Sequence, residues 1–417
     1  MAMTSAESIL ARASGSEKVE PGEYVSAVID KAMCNEGFAA VFMNLGAAGV
    51  KRIQDPGRVI VIMDHYVPAP TERAATIHQL VRTGVEQLGI TKFYDGRHGI
   101  AHQVMMEEGH VLPGELIVGT DSHTCTYGAL GAASCGIGFS EMAYVLATGR
   151  LWFRIPETMR FLLSGALAPP LSSKDVMLKI AGDHSAEMAQ YKSLEFSGEG
   201  AREMSVEARM TMSNMAVELG AKFCFFETDE KAEAWLAEKC GGGCEPLVFD
   251  KKAPVSSTYE MDLSALEPQV SLPHTVDNVK AISLLERTEV QQAILGSCTN
   301  GRLEDLRLAA GILAGRKVHP GVRLLVIPAS WKVYRQAMEE GTLGTIIAAG
   351  GVILNPGCGP CFGAHGGLLG PGERCISSTN RNFKGRMGSD QAEVYLASPA
   401  TVAVSAVAGY IADPRDM

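Results

Sequence analysis

The chain has 417 residues, 46% of them apolar and 20% charged, with 45 Gly and only three Trp, proportions that exclude disordered and collagen-like sequences. The length suits two or three domains with apolar residues enough for each core. Asp and Glu outnumber Lys and Arg by 47 to 37, a net charge of −10 with no block of like charges, which argues against a nucleic-acid partner.

No apolar run approaches the roughly 20 residues that span a bilayer. The opening MAMTSAESILARASG reads as a helix start, with Ile9, Leu10 and Ala13 on one face, and not as a secretion signal. A cytoplasmic protein is expected, and its ten Cys are expected as thiols, core fillers or metal ligands.

Short apolar runs rich in branched residues then recur along the chain, each followed at once by a polar or cysteine-rich cluster. Residues 58–63 (RVIVIM) lead into Asp64-His65, and 115–119 (ELIVG) lead into Asp121-Ser122-His123. Helix-like segments at 140–153 and 205–221 follow, the second carrying Asn214 and Glu218 four residues apart, on one helix face. Next come 292–296 (QAILG) before Ser297-Cys298, 351–354 (GVIL) before Cys358 and Cys361, and 373–377 (ERCIS) before Asn380-Arg381. Alternating strands and helices predict mostly parallel sheets, and such sheets bind ligands beyond the carboxyl ends of their strands. Five strand ends therefore point to one crevice.

The chemistry is written in those clusters. Cys298 in LGSCTNG with Cys358 and Cys361 in NPGCGPCFG offers three thiolates; a C-x-x-C pair by itself serves zinc, redox and iron–sulfur sites alike. The surrounding Gly and Pro make tight turns whose free N–H groups can bond sulfide or carboxylate. Three ligands on a four-iron cube would leave one iron open to substrate as a Lewis acid. Asp64-His65 and Asp121-Ser122-His123 pair carboxylate with imidazole, the arrangement for proton transfer, and Arg381 and Arg386 in STNRNFKGRMG suit bidentate binding of carboxylates. The plainer readings are buried thiols, structural histidines and solvated arginines. Cys125, Cys135, Cys224 and Cys375 read as packing residues, and KCGGGCEP around Cys240 and Cys244 as a flexible loop.

The segments GTDSHTCTYGALGAASCGIGFSEM, LGSCTNGRLEDL, NPGCGPCFGAHGGLLGPGE and STNRNFKGRMG resemble the signature stretches of the aconitase superfamily, in its short, archaeal-type 3-isopropylmalate dehydratase large-subunit branch. The likeness runs from TSAESILARASG to AEVYLASPATVAVSAVAG. It implies a three-domain α/β/α architecture around a central iron–sulfur site, with expected units at 1–155, 156–283 and 284–417. It also implies a hydro-lyase interconverting 2- and 3-isopropylmalate in leucine biosynthesis, with homoaconitate, 2,3-dimethylmalate and citramalate as related substrates. By the same resemblance, Cys298, Cys358 and Cys361 match the ligands of a [4Fe-4S] cluster, and Asp64, His65, His102 and His123 match groups that protonate the leaving hydroxyl. Asp121, Ser122, Asn214 and Glu218 match groups near the cluster and its water, Asn380 and the nearby Asn300 belong to the cluster's surroundings, and Arg381 and Arg386 match carboxylate anchors. In VFMNLGAAGV the pattern departs from the polar residues usual there, leaving Asn44 as the candidate counterpart. The family's swivelling domain, with its base Ser and a further Arg, is absent from the pattern, so a separate small subunit is expected to supply it. An RNA-binding regulator conflicts with the net charge, and a zinc or electron-transfer module would leave the Asp-His pairs unexplained.

Overall fold

The computed structural model describes residues 2–416. Three sheets succeed one another along the chain, beside a ribbon pairing Tyr24–Val28 with Arg150–Arg154. The first sheet contains β1 (Lys31–Cys34), β2 (Val59–Ile62), β3 (Lys92–Tyr94), β4 (Leu116–Gly119) and β5 (Ala133–Gly136), all parallel in the order β3-β2-β1-β4-β5. The second contains β6 (Thr158–Ser164), β7 (Ser193–Ser197), β8 (Phe223–Phe226) and β9 (Ser257–Asp262), again parallel, ordered β8-β7-β6-β9.

The third sheet takes β10 (Gln269–Ser271), β11 (Val279–Ala281), β12 (Gln292–Gly296), β13 (Arg323–Ile327), β14 (Val352–Ile353), β15 (Arg374–Ser377) and β16 (Glu393–Leu396) in the order β11-β10-β16-β15-β12-β13-β14. Its last five members in that order are parallel; β10 and β11 add an antiparallel edge. That edge shifts a boundary: β10 and β11 precede residue 284, yet Ser271 pairs with Leu396, so the third sheet begins earlier than the sequence pattern suggests. Strands β2, β4 and β12 are buried at every position, which is why they read as continuous apolar runs: helices cover both faces of the sheets they belong to.

The helices that position the site are α1 (Phe38–Ala47), α2 (Ala101–Glu107), α3 (Ser173–His184) and α4 (Val206–Met215). All five predicted strands exist, but both predicted helices are shorter than their apolar patterns. The first runs Phe139–Thr148, because Gly149 takes a left-handed conformation (φ 73°) and the chain leaves as the ribbon strand Arg150–Arg154. The second is α4, capped by the Ser205 hydroxyl on Ala208 N; it tightens into the 3₁₀ turn Ala216–Leu219, so Glu218 sits past the α-helix proper. Among the described residues no helix is long and apolar enough to cross a membrane.

Candidate active site

The carboxyl ends of the first and third sheets face each other across one cavity of about 220 Å³, lined by Asp64, His65, His102, Asp121, Ser122, His123, Cys298, Cys358, Cys361, Asn380, Arg381 and Arg386. Larger cavities of about 410 and 490 Å³ lie elsewhere, but this one gathers cysteine, histidine and arginine together.

On the third-sheet side, the chain turns sharply out of β12. Gly296 has φ 138°, and a Cβ there would lie 2.2 Å from the Ile327 carbonyl oxygen, so only glycine fits. Ser297 follows at φ 81°, a conformation that costs a non-glycine residue of order 1–3 kcal/mol and that the surroundings must hold. Arg302, 1% exposed, does so: its guanidinium donates to the carbonyls of Cys298 (2.5 Å) and Thr299 (2.6 Å). Cys358 and Cys361 sit on the helical turn Gly359–Phe362, and Cys358 N donates to Asp64 O at 2.7 Å, tying the cysteine turn to the first sheet. Asn214 on α4 donates to the Cys298 sulfur at 3.3 Å. The Asn380 amide donates to the same sulfur at 3.4 Å, and its carbonyl oxygen lies 3.4 Å from the Cys361 sulfur. One asparagine thus touches two of the three thiols.

On the first-sheet side, His65 Nδ1 lies 2.6 Å from Asp64 Oδ1, and the other Asp64 oxygen accepts from Ala101 N at 2.7 Å, at the start of α2. His65 Nε2 faces Asp121 Oδ2 at 3.5 Å. Asp121 Oδ1 accepts from His102 Nε2 and from His123 N, both at 2.8 Å. His123 Nε2 meets Glu218 Oε1 at 2.8 Å, and Arg381 Nε lies 2.7 Å from the same oxygen. The charges follow from this geometry. Burial works to raise Asp121, but hydrogen bonds from His102, His123 and His65 outweigh it and hold the carboxylate well below its ordinary range. Burial also disfavours a charged His65, yet Asp64, Asp121 and Glu36 raise the ring well above its ordinary value and favour the imidazolium, with Nε2 facing Asp121, while burial raises Asp64 itself. Glu218 is held low against burial by His123 and Arg381.

Two predicted residues are not brought here. Asn44 lies in the second half of α1, outside the cavity lining, because the helix begins at Phe38 and carries it roughly 9 Å further along at 1.5 Å per residue. The polar pair that stands directly behind the lining is Asn35-Glu36, just after β1: Glu36 Oε1 accepts from His65 N (2.9 Å) and Tyr66 N (3.1 Å), and Asn35 Oδ1 accepts from the Thr120 hydroxyl (3.0 Å). The rule that a polar cluster follows a strand would have found them, had the four-residue KAMC been read as one. Asn300 is buried, but its amide is spent on Asp305 (3.0 Å) and Thr211 (3.4 Å) and reaches no cysteine sulfur. Sequence reading also passed over Arg302 and over Phe362, whose ring meets His65 edge-on at 4.8 Å with the Arg386 guanidinium 5.7 Å from its centre.

The donor set fits an iron–sulfur cluster. Three thiols line one cavity; Cys361 is brought down to about 6 by its hydrogen bond with Cys358 against the effect of burial, while burial pushes Cys298 up to about 12. Metal binding takes the thiolate, so loading a cluster would release the Cys298 proton. Among the described residues the buried Nε of Arg386 has no hydrogen-bond partner, leaving a cationic donor for a guest anion.

The profile described as "Aconitase family (aconitate hydratase)" matches residues 9–409. A Methanothermobacter thermautotrophicus protein named "Probable 3-isopropylmalate dehydratase large subunit" is 52% identical, covering 100% of both chains. The "3-isopropylmalate dehydratase large subunit 1" of Methanopyrus kandleri is 48% identical over 100% of this chain and 99% of its own. The "Probable methanogen homoaconitase large subunit" of M. thermautotrophicus is 44% identical over 99% and 98%. In fold, the chain is similar to the crystal structure of Thermococcus kodakaraensis aconitase X in its holo form, with a TM-score of 0.52, 10% identity and 88% of each chain covered.

Proposed function

The chain belongs to the aconitase family, whose dehydratases are generally iron–sulfur enzymes, and from that premise we propose that it is the large, cluster-bearing subunit of a hydro-lyase acting on a malate-type acid. Its leading reaction is the conversion of 2-isopropylmalate to 3-isopropylmalate, in keeping with relatives at 52% and 48% identity that are named 3-isopropylmalate dehydratase large subunits. One observation carries the reading: three cysteines from the third sheet and the Asp-His clusters of the first share a single cavity. The homoaconitase relative at 44% identity supports a second substrate, homoaconitate.

Cys298, Cys358 and Cys361 would hold a [4Fe-4S] cluster, which when bound supplies an open iron as Lewis acid for the substrate hydroxyl and carboxylate. The chain's own residues do the rest. His65, charged and aligned by Asp64, gives its Nε2 proton to the departing hydroxyl. His102 and His123 share the Asp121 carboxylate and keep it ionised, which holds the proton on His65 until substrate arrives. Arg381 and Arg386 bind substrate carboxylates, Arg386 with an Nε that no group among the described residues engages. Asn214 and Asn380 orient the cysteine sulfurs. The carbon-bound proton is removed by a base on a separate small subunit, in keeping with relatives named large subunits. Units built on the three sheets serve as the domains that frame the site, in a cytoplasmic enzyme.

Assays of the reconstituted protein with its cognate small subunit test this: turnover of isopropylmalate is expected, and turnover of homoaconitate alone would transfer the assignment to the second reading.

A further inference from the structure

Lys174, at the second position of α3, is 0% exposed, and no carboxylate among the described residues lies within 4.0 Å of its ammonium. A buried charge without a partner is among the costliest features a protein can carry, and a cation in the first turn of a helix also meets the positive end of the helix dipole. The acids nearby are engaged elsewhere. Asp175 accepts from Ser172 N (2.9 Å) and Gln269 N (3.1 Å), and Glu218 is shared by His123 and Arg381. What the ammonium does touch is backbone: Nζ donates to the carbonyls of Ser378 (3.3 Å) and Thr379, the two residues that lead from β15 to Asn380. Asn380 in turn reaches the sulfurs of Cys298 and Cys361, so Lys174 stands one layer behind the thiols and within electrostatic reach of both. Burial lowers its ammonium to about 8, against the opposing pull of Cys361, Glu218 and Cys298.

We propose that Lys174 is the resident counter-cation of the cysteine site, a positioning residue whose charge balances the negative charge brought by three thiolates and a bound iron–sulfur cluster. It rests on the cluster assignment above and extends it to a residue outside the cavity lining. Without a cluster the ammonium is a buried cation with no carboxylate partner among the described residues and is a burden; with a net-negative cluster it helps retain the iron and eases reduction. Its sign therefore reverses between the two states, which a hydrogen-bonding strut's would not.

The test compares wild type, Lys174→Gln and Lys174→Arg, each as cluster-free protein and after anaerobic reconstitution with iron and sulfide. In Lys174→Gln the one-electron reduction of the cluster, followed by electron paramagnetic resonance in a redox titration, should become about tenfold less favourable, roughly 59 mV lower. Iron loss to a chelator should be several-fold faster, and Lys174→Arg should stay near wild type in both. Cluster-free Lys174→Gln should be as resistant to urea as cluster-free wild type, or more so. Equal destabilisation of both states with an unmoved potential would overturn the proposal, as would failure of the cluster-free Gln variant to fold. Wild-type protein that takes up no iron or sulfide would overturn the cluster reading and this one together, whereas a cluster of unchanged potential in Lys174→Gln would overturn this one alone.

Discussion

The two sides of the cavity are built alike and left in different states. Both use the carboxyl ends of parallel strands, β2 and β4 on one side and β12, β14 and β15 on the other. On the first side the catalytic charges are paired, Asp64 with His65 and Asp121 with His102 and His123, and Glu218 of the middle unit bridges His123 to Arg381 on the loop after β15. On the second, buried thiols share one neighbourhood with a guanidinium Nε and a lysine that have, among the described residues, no hydrogen-bond partner and no carboxylate respectively. A side satisfied in itself is prepared for proton transfer, whereas a side with uncompensated donors is prepared for a guest.

The largest expected effect comes from breaking the unsatisfied side. Loss of an outer-shell partner of a metal ligand costs roughly 10–100-fold, so Cys361→Ala, which removes a ligand itself, should exceed this and abolish turnover and iron binding together. Circular dichroism should show the fold retained, since the turn at Gly359–Phe362 is pinned by backbone bonds such as Cys361 N to Cys358 O. Breaking the satisfied side should separate chemistry from cofactor: His65→Asn should lower kcat by about 10²–10⁴, the usual worth of general acid catalysis, with iron per chain unchanged.

A smaller effect lies in pH. The folded value of Asp121 is below its ordinary 3.8, so its contribution to stability is present above that pH and is lost as pH falls further. The folded value of His65 is above its ordinary 6.5, so its contribution is complete below pH 6.5 and drains away as pH rises toward the folded value. Urea titrations of cluster-free protein should show stability falling on the alkaline side by up to about 1.4 kcal/mol per pH unit for this one proton. His65→Asn should flatten that limb, and an unchanged limb would contradict the charged His65. The smallest effect separates Asn44 from its replacement. Asn44→Ala should change stability by no more than about 0.5 kcal/mol and leave kcat alone. Glu36→Gln, which weakens the support under His65, should lower kcat and shift its pH profile.

The strand ends were legible because a buried parallel strand must be apolar throughout and a ligand-binding end must not be: VIVI before Asp64-His65 and QAILG before Ser297-Cys298 announce both. Asn35-Glu36 escaped because β1 is four residues long and opens on Lys31. Lys174 escaped because a lysine near a helix start reads as solvated, and only the packing of α3 against the loop after β15 buries it. Arg302 was hidden likewise, since its partners, the carbonyls of Cys298 and Thr299, exist only once the turn after Gly296 has formed. The middle–third boundary misled because β10 and β11 reach the third sheet by pairing with β16, a long-range contact that no local pattern encodes.

The most direct measurement is iron and acid-labile sulfide per chain in protein reconstituted without oxygen, before and after brief exposure to air. A cube held by Cys298, Cys358 and Cys361 should give about four irons falling toward about three, as the iron without a protein ligand leaves first. Zinc in place of iron, or no sulfide in either sample, would contradict the account.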